Sequence, residues 1–315
     1  MSARAWAAFA AVSVIWGVPY LFIKIAVEGG MPPLVLAWSR IVMAAVVLLM
    51  IAWRAGTLAS LRGRWRWLAA FAAAEIAIPF PLIATGEQRI ASSTAAIVIA
   101  TAPFFVAALA LRFEPAERVD GRRLSGMVVG FLGVVTLVGL DLATGSGELL
   151  GLAAVFVASF GYATGAMLLS RHLSDLDPIA AMGACLAIAG VALTPLAATT
   201  LPESMPSDGA LASVVVLGLL CTATALVLMA VLIDEAGPGR AAVITYVNPV
   251  IAVGLGVVFL GESPGAGAIA GLLLILAGSW LATDGRLPPG FGAKLSRLGR
   301  APREPGAAAG LPDSR

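Results

Sequence analysis

The sequence predicts an all-α integral membrane protein of ten transmembrane helices, arranged as two inverted five-helix repeats with both termini in the cytoplasm. Three observations carry this expectation. Of the 315 residues 60% are apolar and only 12% charged, with a mean hydropathy of +0.97, whereas an ordinary soluble domain is about a quarter charged. A soluble core cannot hide that much apolar surface, so most of it must face lipid. Apolar runs long enough to span a hydrocarbon core of about 30 Å recur along the chain. Finally, the stretch Ala241 to Glu262 repeats, in fainter form, the stretch Ala95 to Glu117.

The repeat is legible residue by residue. At a spacing of 146 the pairs Ala95/Ala241, Ala96/Ala242 and Pro103/Pro249 coincide, and after a one-residue slip a spacing of 145 pairs Glu117/Glu262, Gly126/Gly271 and Gly133/Gly278. Pro103 and Pro249 each fall inside an apolar run, where the ring removes a backbone donor and clashes with the preceding turn. In lipid a broken turn survives only where protein or a water-filled cavity satisfies the freed groups. Interrupted helices at matching places in two halves are the sequence pointer to a transporter's binding site.

The helices are expected near 5–27, 34–53, 67–85, 94–112, 124–140, 149–169, 178–198, 211–233, 241–260 and 266–283. The first run follows Arg4 and resembles a signal peptide, but it is long enough to span and nine more runs follow it, so it is read as a helix. Turn chemistry punctuates the rest: Gly29-Gly30-Met31-Pro32-Pro33, Asp175-Leu176-Asp177-Pro178, Gly237-Pro238-Gly239 and Ser263-Pro264-Gly265. Basic residues set the orientation, because Lys and Arg near helix ends stay on the cytoplasmic side. Arg54, Arg62, Arg64 and Arg66 follow helix 2, and Arg112, Arg118, Arg122 and Arg123 follow helix 4. Loops 6/7 and 8/9 carry Arg171 and Arg240, while loops 5/6, 7/8 and 9/10 carry only acids. Because five is odd, the second repeat enters the membrane from the opposite side, and a pseudo-two-fold axis in the membrane plane supports alternating access. The expected units are 5–140 and 149–283, followed by a disordered cytoplasmic tail, 284–315, rich in Pro, Gly and Ala. In that tail Phe291, Leu295 and Leu298 share a helical face, with Lys294, Arg297 and Arg300 available to anionic headgroups.

Several function classes are excluded by what is scarce. A net charge of +2 does not suggest nucleic acid. Cys185 and Cys221 lie in apolar runs without metal spacing and read as buried hydrophobes. The one histidine, His172, reads as a solvated loop residue. No cofactor is expected, and no GxxxxGK[ST] motif offers ATP drive. An enzyme would need His, Cys or paired-carboxylate equipment that the chain lacks.

A Trp-Gly in helix 1 (Trp16-Gly17) followed by Lys24, an arginine in helix 2 (Arg40), prolines in helices 4 and 9 and a closing Gly261-Glu262 resemble the EamA-type members of the drug/metabolite transporter superfamily. So does the duplicated five-helix plan, over roughly residues 5 to 283. The resemblance implies a bacterial inner-membrane permease, often an exporter, of small metabolites such as amino acids. The chain departs from that pattern at Ala116-Glu117, where Gly-Glu is expected, and at Phe160-Gly161, opposite Trp16-Gly17.

Ionisable residues inside a membrane are costly, by about 2.5–3.5 kcal/mol on insertion scales, and each is therefore a functional candidate. Glu75, amid apolar neighbours in helix 3, is the expected coupling residue, as proton carrier or as counter-charge to a substrate ammonium; a structural pair with Arg40 or Lys24 is the alternative. Arg40 could hold a substrate carboxylate bidentately or snorkel to the interface. Lys24 reads as an interfacial anchor, and Glu87 and Arg89 as a surface pair. Around the prolines, Tyr246 and Asn248 beside Pro249, and Thr101 beside Pro103, are the expected cargo contacts; tying helix to helix is the other reading. Trp16 and Tyr20 are expected to wall the cavity; membership of an aromatic belt at the interface is the other reading. Gly161 and Gly165 form a small-xxx-small motif that packs either repeat on repeat or chain on chain. The expected function is thus a secondary transporter, an exporter of amino-acid-like metabolites, with coupling to protons through Glu75. Its partners are a small-molecule metabolite and the lipid bilayer, with no nucleic acid, as a monomer or homodimer; a lipid-handling or channel-like protein is the alternative.

Overall fold

The computed structural model describes residues 2–113, 121–141, 146–236 and 244–282, and every regular element among the described residues is helical. Helix α1 runs over Ala3–Glu28 and bends at Val18, where Pro19 opens its second segment without a donor. Helix α2, Pro33–Ala55, starts on a proline and stops at Gly56, whose φ of 71° is the left-handed conformation that suits glycine at a helix end. Helix α3, Trp65–Glu87, contains a π-helical segment at Ala72–Ala77 and resumes at Pro79. Helix α4 is broken into Ser92–Ile99 and Ala102–Phe113, and α5 covers Gly121–Asp141. Helix α6, Ser146–Leu168, ends in a π turn, Leu169–Leu173; α7 covers Pro178–Ala198. Helix α8, Asp208–Ala236, has its own π-helical segment at Val216–Thr224; α9 is Ile244–Leu260 and α10 Ala266–Ala282.

Seven of these, α1 to α4 and α6 to α8, hold apolar stretches long and apolar enough to cross a membrane, whereas α5, α9 and α10 hold shorter ones. At 1.5 Å per residue the 17 residues of α9 reach about 25 Å, short of a full hydrocarbon core. The expected tail, 284–315, lies outside the described residues, as do Glu117, Arg118, the Gly237-Pro238-Gly239 turn and Arg240.

Two helix pairs carry the most extensive packing, α5 on α10 and α2 on α7. The first is a glycine seam between antiparallel helices. A methyl group added to Gly278 would stand 2.6 Å from the carbonyl oxygen of Gly126, and one added to Gly271 would stand 2.9 Å from that of Gly133. Under the 145-residue spacing these two contacts exchange, since Gly126 maps onto Gly271 and Gly133 onto Gly278. The second pair repeats the pattern: Gly183 backs onto Leu48 and Leu49 at one end, and Trp38 Nε1 donates to Thr194 Oγ1 at 3.0 Å at the other. The broadest apolar core lies here, with Leu48, Leu68, Phe71, Cys185 and Leu186 buried together.

The connections sort to two ends. At one, Ser207 N donates to Gly29 O at 2.9 Å, and the α3/α4 and α9/α10 connections meet the start of α6 around a cavity of about 370 Å³. At the other, Arg64 pairs with Asp175 and donates to His172 O at 3.1 Å, Thr57 Oγ1 donates to Asp177 at 3.2 Å, and Ser2 and Arg4 meet Glu235. His172 itself is not a solvated loop residue: it closes the π turn of α6 with its ring stacked 3.5 Å from Trp67.

The two prolines also part company. Pro103 follows a genuine break at Ala100 and Thr101, but Pro249 sits inside a continuous α9, which corrects the expectation of two interrupted helices. Pro249 is buried six residues into the described helix, where its ring withholds one i→i−4 hydrogen bond without breaking the helix.

A buried charge cluster as the candidate functional site

Several ionisable side chains are drawn in among the helices, Arg40 and Glu87 buried and Lys24 and Glu75 half-buried. Lys24 leaves α1 and donates its ammonium to two carbonyls at the end of α3, Glu87 O at 2.7 Å and Ile90 O at 3.2 Å, with Glu28 3.4 Å away. It is a helix cap of the sign that the negative end of a helix favours, not an interfacial anchor. Glu87, the last residue of α3, is fully buried, and neither carboxylate oxygen has a hydrogen-bond partner. The expected surface pair with Arg89 is therefore corrected: the α3 terminus folds inward under Lys24, leaving Arg89 to line the cavity at the end.

Arg40 lies two turns into α2, 7% exposed, far too buried to snorkel. One guanidinium nitrogen donates to Thr222 Oγ1 at 3.1 Å, the group sits 4.2 Å over the Phe80 ring, and its Nε has no hydrogen-bond partner. Tyr20 of α1, Tyr162 of α6 and Glu87 are its electrostatic neighbours. Those around Glu87 are Lys24, Glu262, Arg40 and Glu28.

Glu75 occupies the π-helical segment of α3, where one buried carboxylate oxygen lacks a partner. It faces Gly165, whose hydrogen leaves room for the carboxylate, while Gly161 admits the carbonyl of Ala74. The small-xxx-small motif therefore packs α6 on α3 within one chain. Among the described residues no ion pair joins Glu75 to Arg40 or Lys24; Tyr162 is the group within electrostatic reach of both Glu75 and Arg40. The π-helical segment of α8 supplies Thr222, the partner of Arg40, at the place in the second half that Glu75's segment holds in the first. Such wide turns are frequent at functional sites.

The residues around the prolines have partners within the protein. Thr101 Oγ1 donates to Val98 O at 2.6 Å and shares a hydrogen bond of 2.9 Å with Ser159; Ser159 and Ser279 reach Ile99 O and Ala100 O, the carbonyls at the α4 break. These serines were not singled out from sequence, because a lone Ser on a distant helix carries no local signal. Tyr246 donates to Ser279 O at 3.1 Å, and the Asn248 amide, oriented by its surroundings, donates to Ser13 O and Ile244 O at 3.1 Å. Trp16 packs with Tyr246 against Phe9, Leu232 and Ile244. Gly17 lets α1 meet α9, since a methyl there would stand 2.5 Å from Ile251. The structure thus brings Tyr20 and Arg40 to the charge cluster and gathers Trp16, Tyr246, Asn248 and Pro249 at the α1/α9 crossing.

Glu262 turns out to be structural. Beyond the end of α9, where Gly261 takes a φ of 65°, its carboxylate accepts from Ser92 N at 2.7 Å and Ser93 N at 3.0 Å, capping the first turn of α4. Burial pushes its carboxyl up, but the hydrogen bonds from Ser93 and Ser92 outweigh this and hold it below its ordinary value.

This bundle of apolar helices around a few buried charges defines a multi-pass membrane transporter. A sequence profile of the EamA-like transporter family matches residues 4–139 and 149–283, and the chain belongs to that family. It is 31% identical over 260 residues to the uncharacterized inner membrane transporter YedA of Escherichia coli K12, over 80% of this chain and 82% of YedA. It is 25% identical over 285 residues to an uncharacterized transporter of Archaeoglobus fulgidus, over 88% of this chain and 98% of that one. A crystal structure covering 95% of this chain and all of its own superposes with a TM-score of 0.64 at 19% identity, a likeness of fold alone. With YedA, this chain is placed in the plasma (inner) membrane.

Proposed function

We propose that the protein is a secondary-active exporter of small, amino-acid-like metabolites, working by alternating access between two inverted five-helix units, 5–140 and 149–283, with both termini cytoplasmic. The observation that carries this reading is the glycine seam of α5 and α10. Two of its close approaches, Gly126 to Gly278 and Gly133 to Gly271, exchange under the sequence repeat, as contacts across a two-fold axis must. Antiparallel equivalents related in this way are what an inverted repeat produces. A lipid-handling or channel-like protein would need a lateral opening or a continuous polar pore, and the full burial of Glu87 argues against a pore.

In this reading Tyr20 and Arg40 contact cargo directly, and Glu75 carries the coupling proton, a carboxyl without a cation partner in an apolar surround. Trp16, Thr101, Pro103, Tyr246, Asn248 and Pro249 form the moving joints that border the path. The cargo is a metabolite, no cofactor takes part, and the working unit is a monomer or homodimer.

Two measurements test it. Membrane-impermeant thiol reagents applied outside should label Glu148→Cys and Pro264→Cys but not Thr57→Cys; labelling of 148 and 264 from opposite faces ends the inverted pairing. Purified protein in vesicles should then release preloaded metabolites down an imposed proton gradient, and absence of any gradient-dependent flux refutes secondary transport.

A further inference from the structure

Helices α3 and α6, one from each half, meet in two different ways along their length. From Glu75 outward, glycines set the contact. A methyl on Gly165 would stand 3.0 Å from Glu75 Cβ, one on Gly161 2.6 Å from the Ala74 carbonyl oxygen, and one on Gly151 3.1 Å from that of Gly86. Backbones fitted this closely resist displacement. Inward of Glu75 the contact changes character. Both helices pass through π-helical turns, Ala72–Ala77 in α3 and Leu169–Leu173 in α6, and turns of that kind are places where a helix bends. Beyond them polar and aromatic groups join the two ends. Arg64 Nη2 pairs with Asp175 Oδ2 at 2.5 Å, Nη1 donates to His172 O at 3.1 Å, and the His172 ring stacks on Trp67 at 3.5 Å. The Arg64 and Asp175 side chains are 38% and 57% exposed, so parting them strands no buried charge and costs little.

The opposite end of the bundle carries a counterpart. At the spacing of 146 Gly29 maps onto Asp175 and Pro32 onto Pro178, so the α6/α7 connection repeats α1/α2, and α7/α8 repeats α2/α3. There Ser207 N donates to Gly29 O at 2.9 Å, joining α8 to α1 as Arg64 and Asp175 join α3 to α6. We propose that Arg64, Asp175 and the Trp67–His172 stack form the inner gate of the transport path, a latch that parts as α3 and α6 bend at their π turns and opens the interior to the cytoplasm. The inference rests on the transporter reading above and names the contact that must break in each cycle. The Ser207–Gly29 bond is the matching outer latch, so that one end stays shut while the other opens. A half-exposed ion pair suits this task, since it sets the register of two segments and still separates readily.

The test locks the latch reversibly in the full chain. Arg64→Cys/Asp175→Cys is bridged in detergent with a short bis-methanethiosulfonate, or capped at both thiols with methyl methanethiosulfonate, and then placed in vesicles loaded with an isotope-labelled metabolite extract. Single-cysteine variants confirm that the buried Cys185 and Cys221 do not react. Release under an imposed proton gradient should fall below about a tenth on bridging, return when a reductant cleaves the bridge, and persist in the capped protein. A contact that only stabilises the fold would survive bridging with its flux intact, and that result overturns the gate. If the uncapped thiol pair is itself silent, the charge-swapped Arg64→Asp/Asp175→Arg decides, because a latch works with its ion pair either way round. A swapped protein that melts like the parent yet releases nothing also overturns the gate. These outcomes leave the transporter reading standing as long as the parent releases compounds from the same vesicles; a silent parent removes both.

Discussion

Removing the Glu262 carboxylate tests whether the Gly-Glu at the end of α9 acts as a helix cap in another part of the fold. Glu262→Ala leaves Ser92 N and Ser93 N, now bonded at 2.7 and 3.0 Å, without an acceptor. Hydrogen bonds to a charged group contribute about 1.5–3 kcal/mol each, and an N-cap about 0.5–2 kcal/mol. Because the site borders the end cavity, where water can replace part of the carboxylate, the cap figure applies rather than the sum of two full charged hydrogen bonds: up to about 2 kcal/mol in total. At about 2–4 °C per kcal/mol that is a fall of up to roughly 4–8 °C in the melting temperature of detergent-solubilised protein. The pH dependence supplies the sign. The folded carboxyl lies below its ordinary value of 4.5, so its contribution is present above that value and disappears as pH falls through the folded value. The gap between parent and Glu262→Gln should therefore be full at pH 7 and close below the ordinary carboxyl range. A gap that is absent at pH 7, or unchanged by acid, refutes the cap.

Other outcomes follow from the same geometry. Gly278→Val presses on the Gly126 carbonyl and the Gly130 backbone and should cost about 1–3 kcal/mol by overpacking, whereas Gly254→Ala, with nothing within 4 Å, should leave the melting temperature unchanged. Glu75→Gln should remove the pH dependence of flux while the protein stays folded; unchanged pH dependence would take the proton away from this residue. Asn248→Ala breaks two ties to Ser13 and Ile244, for about 1 kcal/mol at about 0.6 kcal/mol per bond in membranes, and should raise KM; parental kinetics would place Asn248 outside the cargo path. Lys24→Met uncaps the end of α3 and should lower the melting temperature; an unchanged melt would reduce its bonds to Glu87 O and Ile90 O to incidental contacts.

What the sequence determined by itself was the material and its rhythm. Lipid tolerates only backbone that satisfies its own hydrogen bonds, so apolar runs of this length had to be helices. The paired glycines at a spacing of 145 anticipated where helices touch, because only a missing side chain leaves the neighbouring backbone the space a methyl group would fill. Arg40 and Glu75 were legible for the same reason, being charges inside apolar runs. Glu87 was not: it closes a run beside Gln88 and Arg89, which reads as a helix end in water. Only the arrival of α1, with Lys24 over the α3 carbonyls, seals it away from solvent. Nor could the chain alone say that Glu262 caps a helix 170 residues earlier, or that Ser159 and Ser279 serve the broken turn before Pro103. Those roles depend on groups distant in sequence being brought within hydrogen-bonding range. The halves match at the seams and differ in charge, since Cys185 and Leu232 stand where the repeat would place counterparts of Arg40 and Glu87. Local patterns fix what each segment must become, and packing decides which buried charges are left facing one another.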